Sequence, residues 1–435
     1  MIKQYFIQAI VQLKQHPLIS SINIMGTSLA IFLIMLVVMI NNIGILSFSP
    51  ESNRDRFLHG SFISIGNKNW GDDSESSSNG AMSLKSVNEI YKSLKTPECV
   101  TAYTVYPSTV VASIPGQNLV NLEMRETDAE YFKVFDYTFL DGKPYNKEEV
   151  ESHIPLAVLS ESTARAIFGT SKGVVGKYML INYSSCKVIG VVKNVSILAE
   201  KGFSEIWTPI GTISPAATYH DNSGIMGAFS ATILAKDRDD FDDIRKEYNK
   251  RLDGYNKSLE PTGFHIIPRS RPYDQETENQ VIGANLEPDV NKARKIEITI
   301  YVILLIVPAI NLASMTHSRL RQRMIEVGVR RAFGSTHMQL LNQIIIENMI
   351  ITLIAGIIGL ILSLIFANTM ASEFFQVKWN PSLTETQIDF SMLFQPKIFI
   401  YAILFCFVLN ILSCGIPAWR ASRSNIVNSL GGKIM

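Results

Sequence analysis

Four stretches of this chain carry no charged residue: Leu18–Ile40, Ile298–Thr316, Asn348–Ser372 and Ile398–Trp419, of 23, 19, 25 and 22 residues. A hydrocarbon core about 30 Å thick is crossed by about 20 helical residues at ~1.5 Å each. The buried helix of a soluble protein seldom runs so far without a charge, so the four runs are read as transmembrane helices. Lys3 and Lys14 ahead of the first run resemble the flank of a secretion signal. A signal's apolar stretch spans only ~7–15 residues, however, and 41–50 offers no small-x-small cleavage site, so the first run is read as an uncleaved anchor.

Orientation follows from lysine and arginine placement. The cationic segments are 1–17 (Lys3, Lys14), 317–340 (Arg319, Arg321, Arg323, Arg330 and Arg331 against Glu326 alone) and 417–435 (Arg420, Arg423, Lys433). They alternate with the spans, so all three fit the cytoplasmic side with both termini inside. The segment between the first two spans and a short loop at 373–397 then lie outside. A net charge of +1 conceals this separation, because ten of the bases sit in those three segments against one acid. Four cysteines in 435 residues exclude a disulfide scaffold, and the charge balance gives no support to nucleic-acid binding.

The layout expected is an interfacial amphipathic helix over 1–17, a first span over 18–47, an outer domain over 48–295, and a second span over 296–316. A cytoplasmic loop over 317–340, a third span over 341–372, the outer loop, a fourth span over 398–419 and a tail over 420–435 complete it. In 1–17, Tyr5, Phe6, Ala9, Ile10 and Leu13 recur at helical spacing opposite the lysines and glutamines. Pro308 is expected to kink the second span. Gly356 and Gly359, with Ser363, mark close helix packing in the third.

The outer domain shows a repeated strand–helix–strand plan. Ser61–Gly66 reads as a strand, Ser83 caps a helix carrying Leu84, Val87, Tyr91 and Leu94 on one face, and Val100–Ile114 reads as one long strand. Later, Gly227–Ala235 reads as a strand, followed by a helix with Asp239–Asp243 acids first, bases later, and Phe241, Ile244, Tyr248 and Leu252 inward. Gly263–Ile267 closes that unit. The two units are expected to share one sheet, interrupted by a β-rich insertion at 116–225 with a short helix at Ser160–Phe168. His59, His153, His220 and His265 show no metal-ligand spacing, and Ser160 and Ser162 sit in no nucleophile elbow, so no catalytic or metal site is expected. Cys99 and Cys186 both lie outside, but the sequence does not place them within bonding reach.

Nor does the chain carry a phosphate loop. In Ser171–Tyr178 a serine stands where the first glycine is needed, and Tyr178 stands where a magnesium-ligating Ser or Thr is needed. Gly431-Gly432-Lys433 fails likewise. No cofactor is expected to bind the chain directly.

The cytoplasmic loop reads Arg319-Leu-Arg-Gln-Arg-Met-Ile-Glu-Val-Gly-Val-Arg-Arg-Ala-Phe-Gly-Ser-Thr336. As a helix it puts Ile325, Val329, Ala332 and Phe333 on one face and Arg323, Glu326 and Arg330 on the other, with Glu326 and Arg330 in the favourable i,i+4 order. Gly334 suits the residue just past the helix end, and Ser335 or Thr336 a cap for the next helix. A basic loop resting on lipid headgroups is one reading. The compact, capped form favours the other, a protein-docking element.

This string closely resembles the signature of the MacB/FtsX superfamily of ABC transporter permeases, roughly R-x-R-x-x-E-I-G-[VI]-R-[RKM]-A-[LI]-G-[AS]. Glu326, Gly328, Arg330, Ala332, Gly334 and Ser335 occupy matching places. Pro417-Ala418-Trp419-Arg420-Ala421-Ser422-Arg423 is similar to the family's C-terminal P-A-x-x-A-[SA]-R. Outside, Ala129–Phe135, Leu159–Ser162, Ile167–Gly169, Val175–Lys177 and Val188–Val192 resemble its periplasmic core domain. Departures are Phe333 where a small aliphatic is usual, Trp419 near the last span, and Pro308.

The resemblance implies an α-helical membrane protein of four transmembrane helices with a large α+β extracytoplasmic domain: a Porter-like α/β lobe and an inserted, β-rich Sabre-like lobe. It implies a permease subunit in a bacterial inner membrane, dimeric as a homodimer or heterodimer, served by a separate ABC ATPase subunit that uses ATP and magnesium. MacB carries a fused ATPase ahead of its first span, whereas here Met1 adjoins that span. Arg323, Glu326, Val327, Gly328, Arg330, Arg331, Ala332, Phe333 and Gly334 are expected to couple to the ATPase, with Arg420 and Arg423 in the tail. The function expected is mechanotransmission, in which ATP-driven movement drives the outer domain to export or extract amphiphiles such as antimicrobial peptides, antibiotics or lipoproteins. The alternatives are an FtsX-like activator of a periplasmic cell-wall hydrolase, for which the outer domain is large, and a membrane receptor without an ATPase. A periplasmic adaptor, lipoprotein or hydrolase would be the outer partner.

Overall fold

The computed structural model describes residues 17–68, 77–304 and 333–374, together with positions 306, 329, 399–401, 404, 407, 408 and 411. Among them, 17–42 and 292–371 belong to one compact unit and 43–291 to another.

The first unit contains the helices Pro17–Ile43 and His337–Phe374. Among the described residues one helix, Met349–Phe366, is long and apolar enough to cross a membrane, with a mean hydropathy of 2.8; Ile24–Met39 is a shorter apolar helix. The expected second and fourth spans fall mostly outside the described residues, so the count of four rests on the sequence alone. The expected interfacial helix at 1–17, the outer loop at 373–397 and the tail lie outside them too, save Pro17, Glu373 and Phe374 at their margins.

The outer unit runs through β1 (Phe57–Gly60), β2 (Ile63–Asn67), β3 (Ser78–Gly80) and β4 (Cys99–Thr104). Then come β5 (Ser108–Ser113), β6 (Val120–Thr127), β7 (Phe139–Gly142), β8 (Leu156–Ser160), β9 (Tyr178–Ile181), β10 (Ser184–Val192) and β11 (Ile206–Pro209). It closes with β12 (Phe229–Leu234), β13 (Phe264–Ile267) and β14 (Tyr273–Asp274). Strands β4, β12, β1 and β14 lie side by side in that order. Six others run β11-β8-β10-β9-β5-β6, and a parallel β6–β11 pairing closes them into a ring. Ring and open sheet meet where Tyr103 of β4 pairs with Thr127 of β6.

Two expectations change. The long strand over Val100–Ile114 is broken at Val105–Pro107, where the chain leaves the open sheet for the ring. Pro107 has no N–H to offer a ladder. Arg125, 1% exposed, gives one guanidinium nitrogen to the carbonyls of Thr104 and Val105 at the break, at 2.7 and 3.3 Å. Nor do the two strand–helix–strand units share one sheet. The expected strand at Ser61–Gly66 is a bend followed by β2, and β2 pairs with β13 and β3 in a separate three-stranded sheet.

The alternation of β12 explains how the layers stack. Phe229, Ala231 and Ile233 enter a core with Val87 and Tyr91 and with Ile244, Tyr248 and Leu252 of the Phe241–Leu259 helix. Each buried Phe, Val, Ile or Leu among them contributes about 1.5–3 kcal/mol. Leu234 joins a second core made largely of rings: Phe57, Tyr103, Tyr131, Phe135, Tyr137, Tyr145 and Trp207. Tyr131 and Phe135 meet at a tilt with ring centres 4.6 Å apart, and Tyr137 meets Trp207 edge-on at 5.2 Å. The ring has its own filling, including Leu122, Met124, Leu159, Met179, Ile181, Val188 and Val191.

Candidate functional site

The loop expected to dock an ATPase, at 317–340, is the first site the sequence points to. Arg323, Glu326, Val327, Gly328, Arg330, Arg331 and Ala332 lie outside the described residues, as do Arg420, Arg423 and Pro308. The corner that follows is described. The Phe333 N–H donates to the Val329 carbonyl at 3.1 Å in a last helical turn. Gly334 then adopts φ +94, a left-handed conformation that side chains other than glycine rarely take. Thr336 Oγ1 accepts from the Gln339 N–H at 3.3 Å, and Gln339 Oε1 accepts from the Thr336 N–H at 3.0 Å. That reciprocal pair is a capping box starting the third-span helix. Phe333 is 88% exposed, so the corner presents a bare aromatic ring.

Span packing is the second element. The first helix buries Thr27, Ser28, Ile31, Ile34, Met35 and Met39, and the third-span helix buries Ile351, Thr352, Ala355, Gly356, Gly359 and Ser363. A Cβ on Gly359 would sit 2.7 Å from the Ser28 carbonyl oxygen and 3.1 Å from Ile31. A hydrogen is all that fits there, the small-residue approach typical of helices in lipid.

The outer motifs turn out to make the fold. Tyr131 and Phe135 belong to the aromatic core. Ser160 caps the Glu161–Phe168 helix, and Gly169 ends it at φ +72. Val188–Val192 is the C-terminal half of β10. Cys99 and Cys186 are both free, and burial pushes the Cys186 thiol up to about 12. Among the described residues no group of acids, histidines and cysteines is placed to hold a metal.

A third element carries no motif. Glu51, Arg54, His59 and Ser61 come from the chain leaving the first helix, Lys201 from the loop before β11, and Gln275 and Glu278 from the short helix Gln275–Glu278; all lie together in the outer unit. Arg54 Nε donates to Glu51 at 2.6 Å, and its other nitrogens reach the carbonyls of Ile43, Leu46 and Leu198 at 2.8–2.9 Å. The second Glu51 oxygen accepts the N–H groups of Lys201 and Gly202 at 2.9 and 2.8 Å. Lys201 Nζ donates to Ser61 and to Glu278, each at 2.9 Å. His59, fully buried, meets Gln275 Oε1 through Nε2 at 2.8 Å and Thr232 Oγ1 through Nδ1 at 3.2 Å. Since that amide oxygen only accepts, Nε2 carries the proton.

Burial raises the Glu278 pKa, but the Lys201 ammonium, with His59 and the Ser61 hydroxyl, outweighs it and holds the carboxyl at about 2. Its stabilising share is therefore complete above about 4.5, the ordinary value, and is lost as pH falls towards about 2. Glu278→Gln, which strands Lys201 at every pH, is expected to be less stable than the parent at pH 7. The gap should close as the parent's carboxyl protonates between those limits. Urea titrations of both proteins at a series of pH values check this; a gap that is constant with pH would refute it.

One chain thus carries an apolar helix long enough to span a membrane and a packed α/β outer unit. The comparisons give its family. Residues 20–251 match the MacB-like periplasmic core domain and residues 298–426 the FtsX-like permease C-terminal domain, and the chain belongs to the MacB/FtsX superfamily of ABC transporter permeases. Over 305 residues it is 25% identical to the macrolide export ATP-binding/permease protein MacB of Escherichia coli K12, covering 69% of this chain and 42% of that protein. It thus spans under half the length of the curated relatives it matches. Among solved structures, the periplasmic region of MacB from Actinobacillus actinomycetemcomitans matches with a TM-score of 0.34 and 18% identity, covering 51% of this chain and 91% of that one. The extracellular domain of the noncanonic ABC-type transporter YknZ from Gram-positive bacteria matches with a TM-score of 0.32 and 15% identity, covering 47% and 99%.

Proposed function

We propose that this chain is the permease subunit of a mechanotransmitting ABC transporter in a bacterial inner membrane. A separate ATPase subunit hydrolyses ATP below the membrane, and the permease, as a dimer, carries the resulting movement to its outer domain to export or extract an amphiphilic substrate. The observation that carries this reading is the pairing, in one chain, of a MacB-like outer domain with an FtsX-like permease domain. Physical chemistry supports it. The outer unit is filled by three apolar cores, a construction suited to passing on displacement. The third-span window Met349–Phe366 contains no ionisable residue of the kind that marks a polar route through lipid. The exposed Phe333, on a corner pinned by Gly334 and Thr336, is a ready contact for a protein partner.

Glu326→Lys and Arg330→Glu, each reversing one charge of the docking loop, are expected to abolish co-purification of the ATPase and the stimulation of its activity. Unchanged stimulation in both variants would remove the docking role. Pull-downs from mild detergent separate the outer partners. A cell-wall hydrolase on the outer domain would replace transport with activation, whereas an adaptor or lipoprotein fits export or extraction.

A further inference from the structure

We infer that the buried charges at the root of the outer unit form a latch that makes three segments move as one piece: the chain leaving the first helix (43–61), the loop 198–202, and the helix Gln275–Glu278. This deepens the mechanotransmission reading, on which its functional meaning rests, by assigning residues to the joint.

The three segments are far apart in sequence, and polar groups with little freedom tie them together. Arg54 is 2% exposed and Glu51 1%. The Arg54 guanidinium ends on the carbonyl of Ile43, the last residue of the first helix, one of the acceptors that a helix end leaves unsatisfied. The same group holds the Leu198 carbonyl, so one planar cation spans the helix end and the loop. Lys201 joins the two ion pairs, its backbone N–H on Glu51 and its ammonium on Glu278. A third tie is a chain of hydrogen bonds: His59 donates to Gln275, whose amide nitrogen donates to the Gly44 carbonyl at 2.7 Å. The result is that Ile43, Gly44 and Leu46 are each held through a backbone carbonyl, by side chains whose other bonds reach the loop or the Gln275–Glu278 helix.

The choice of chemistry matters. Packed apolar side chains resist sliding by shape alone, whereas buried charges add a directional requirement, since slippage strands each from its partner. A joint built this way is stiff against small displacements.

The test is hydrogen exchange on the full chain in detergent. Lys201→Met is expected to raise exchange about tenfold or more in 43–56, 196–203 and 275–282 together, while β12, its ladder partner β1 and the Phe241–Leu259 helix keep their protection. Lys201→Met/Glu278→Leu removes both charges and keeps the test open should the single variant fail to accumulate. There the global unfolding midpoint should recover while the three segments stay unprotected. Three results would overturn the latch: a rise confined to 196–203, a uniform rise that includes β12, or full restoration of all three segments in the double variant, since packing alone would then hold them. Exchange reads the joint with no ATPase or cargo present. Its failure therefore leaves the permease reading standing, and failure of the Glu326 and Arg330 experiments leaves the latch standing.

Discussion

Replacing Gly359 with leucine is expected to unseat the first helix from the third-span helix and to lower stability in detergent by about 1–3 kcal/mol or more. The new side chain would start 2.7 Å from the Ser28 carbonyl oxygen, a backbone atom that yields only if the whole helix moves. Around that point Ile31 and Met35 pack with Leu360 and Phe399, and Phe32 meets Phe366 edge-on at 5.5 Å, so separation at one crossing loosens contacts along the pair. Leucine is more lipophilic than glycine, so a loss cannot be blamed on poorer partitioning into the membrane. Gly359→Ala should fall between, because even its single methyl lies inside the contact. Ile361→Leu, on the exposed face at 50%, should change little and serves as the control. Thermal unfolding of the three variants beside the parent decides it, and a Gly359→Leu protein as stable as the parent would show that the helices do not touch there.

Arg54→Met should cost about 3–5 kcal/mol, the usual result of leaving one member of a buried ion pair behind. Burial raises the Glu51 pKa, and Arg54, the Gly202 N–H and the nearby His59 together outweigh it, so the carboxylate sits below its ordinary range. Without Arg54 that carboxylate keeps two backbone donors and no counter-charge, and the carbonyls of Ile43, Leu46 and Leu198 lose their donor. Arg54→Lys is expected to recover little, since a single ammonium does not reproduce the planar fork that serves four acceptors. Arg54→Met/Glu51→Gln should recover part, because the stranded charge is gone while the bare carbonyls remain. Urea denaturation of the full chain measures all three. The double variant's standing above the single one is the sensitive readout, and equal losses in both would mean that the charge was never the costly part.

What the sequence disclosed and what it hid divide along physical lines. The Met349–Phe366 helix was legible because lipid leaves so few ways to build a span. The corner at Gly334 and Thr336 was legible because capping is written within four residues, as was the Phe241–Leu259 helix with its acids first and its apolar spacing. The superfamily was legible from the loop between the second and third spans and from short outer strings whose residues now sit in the aromatic core and at helix ends. The break at Val105–Pro107 had a signal in Pro107, outweighed by the Val- and Thr-rich run on either side. The ring was hidden because its closing pair, β6 with β11, is parallel and separated by most of the lobe's own length. The root cluster was hidden more deeply still. Glu51, Arg54, Lys201 and Glu278 look in sequence like any solvated charges, and only the fold shows the first two buried and the other two largely covered.

The ring of six strands bears on how this body survives outside the cell's chaperoned interior. An open sheet ends in a row of unpaired N–H and C=O groups, a template on which another chain can add a strand. Closing β11 onto β6 pairs both margins of the six-strand path, leaving only β7, which pairs with β10 beside the ring, with an open side. The ring thereby confines strand addition in this lobe to the four residues of β7.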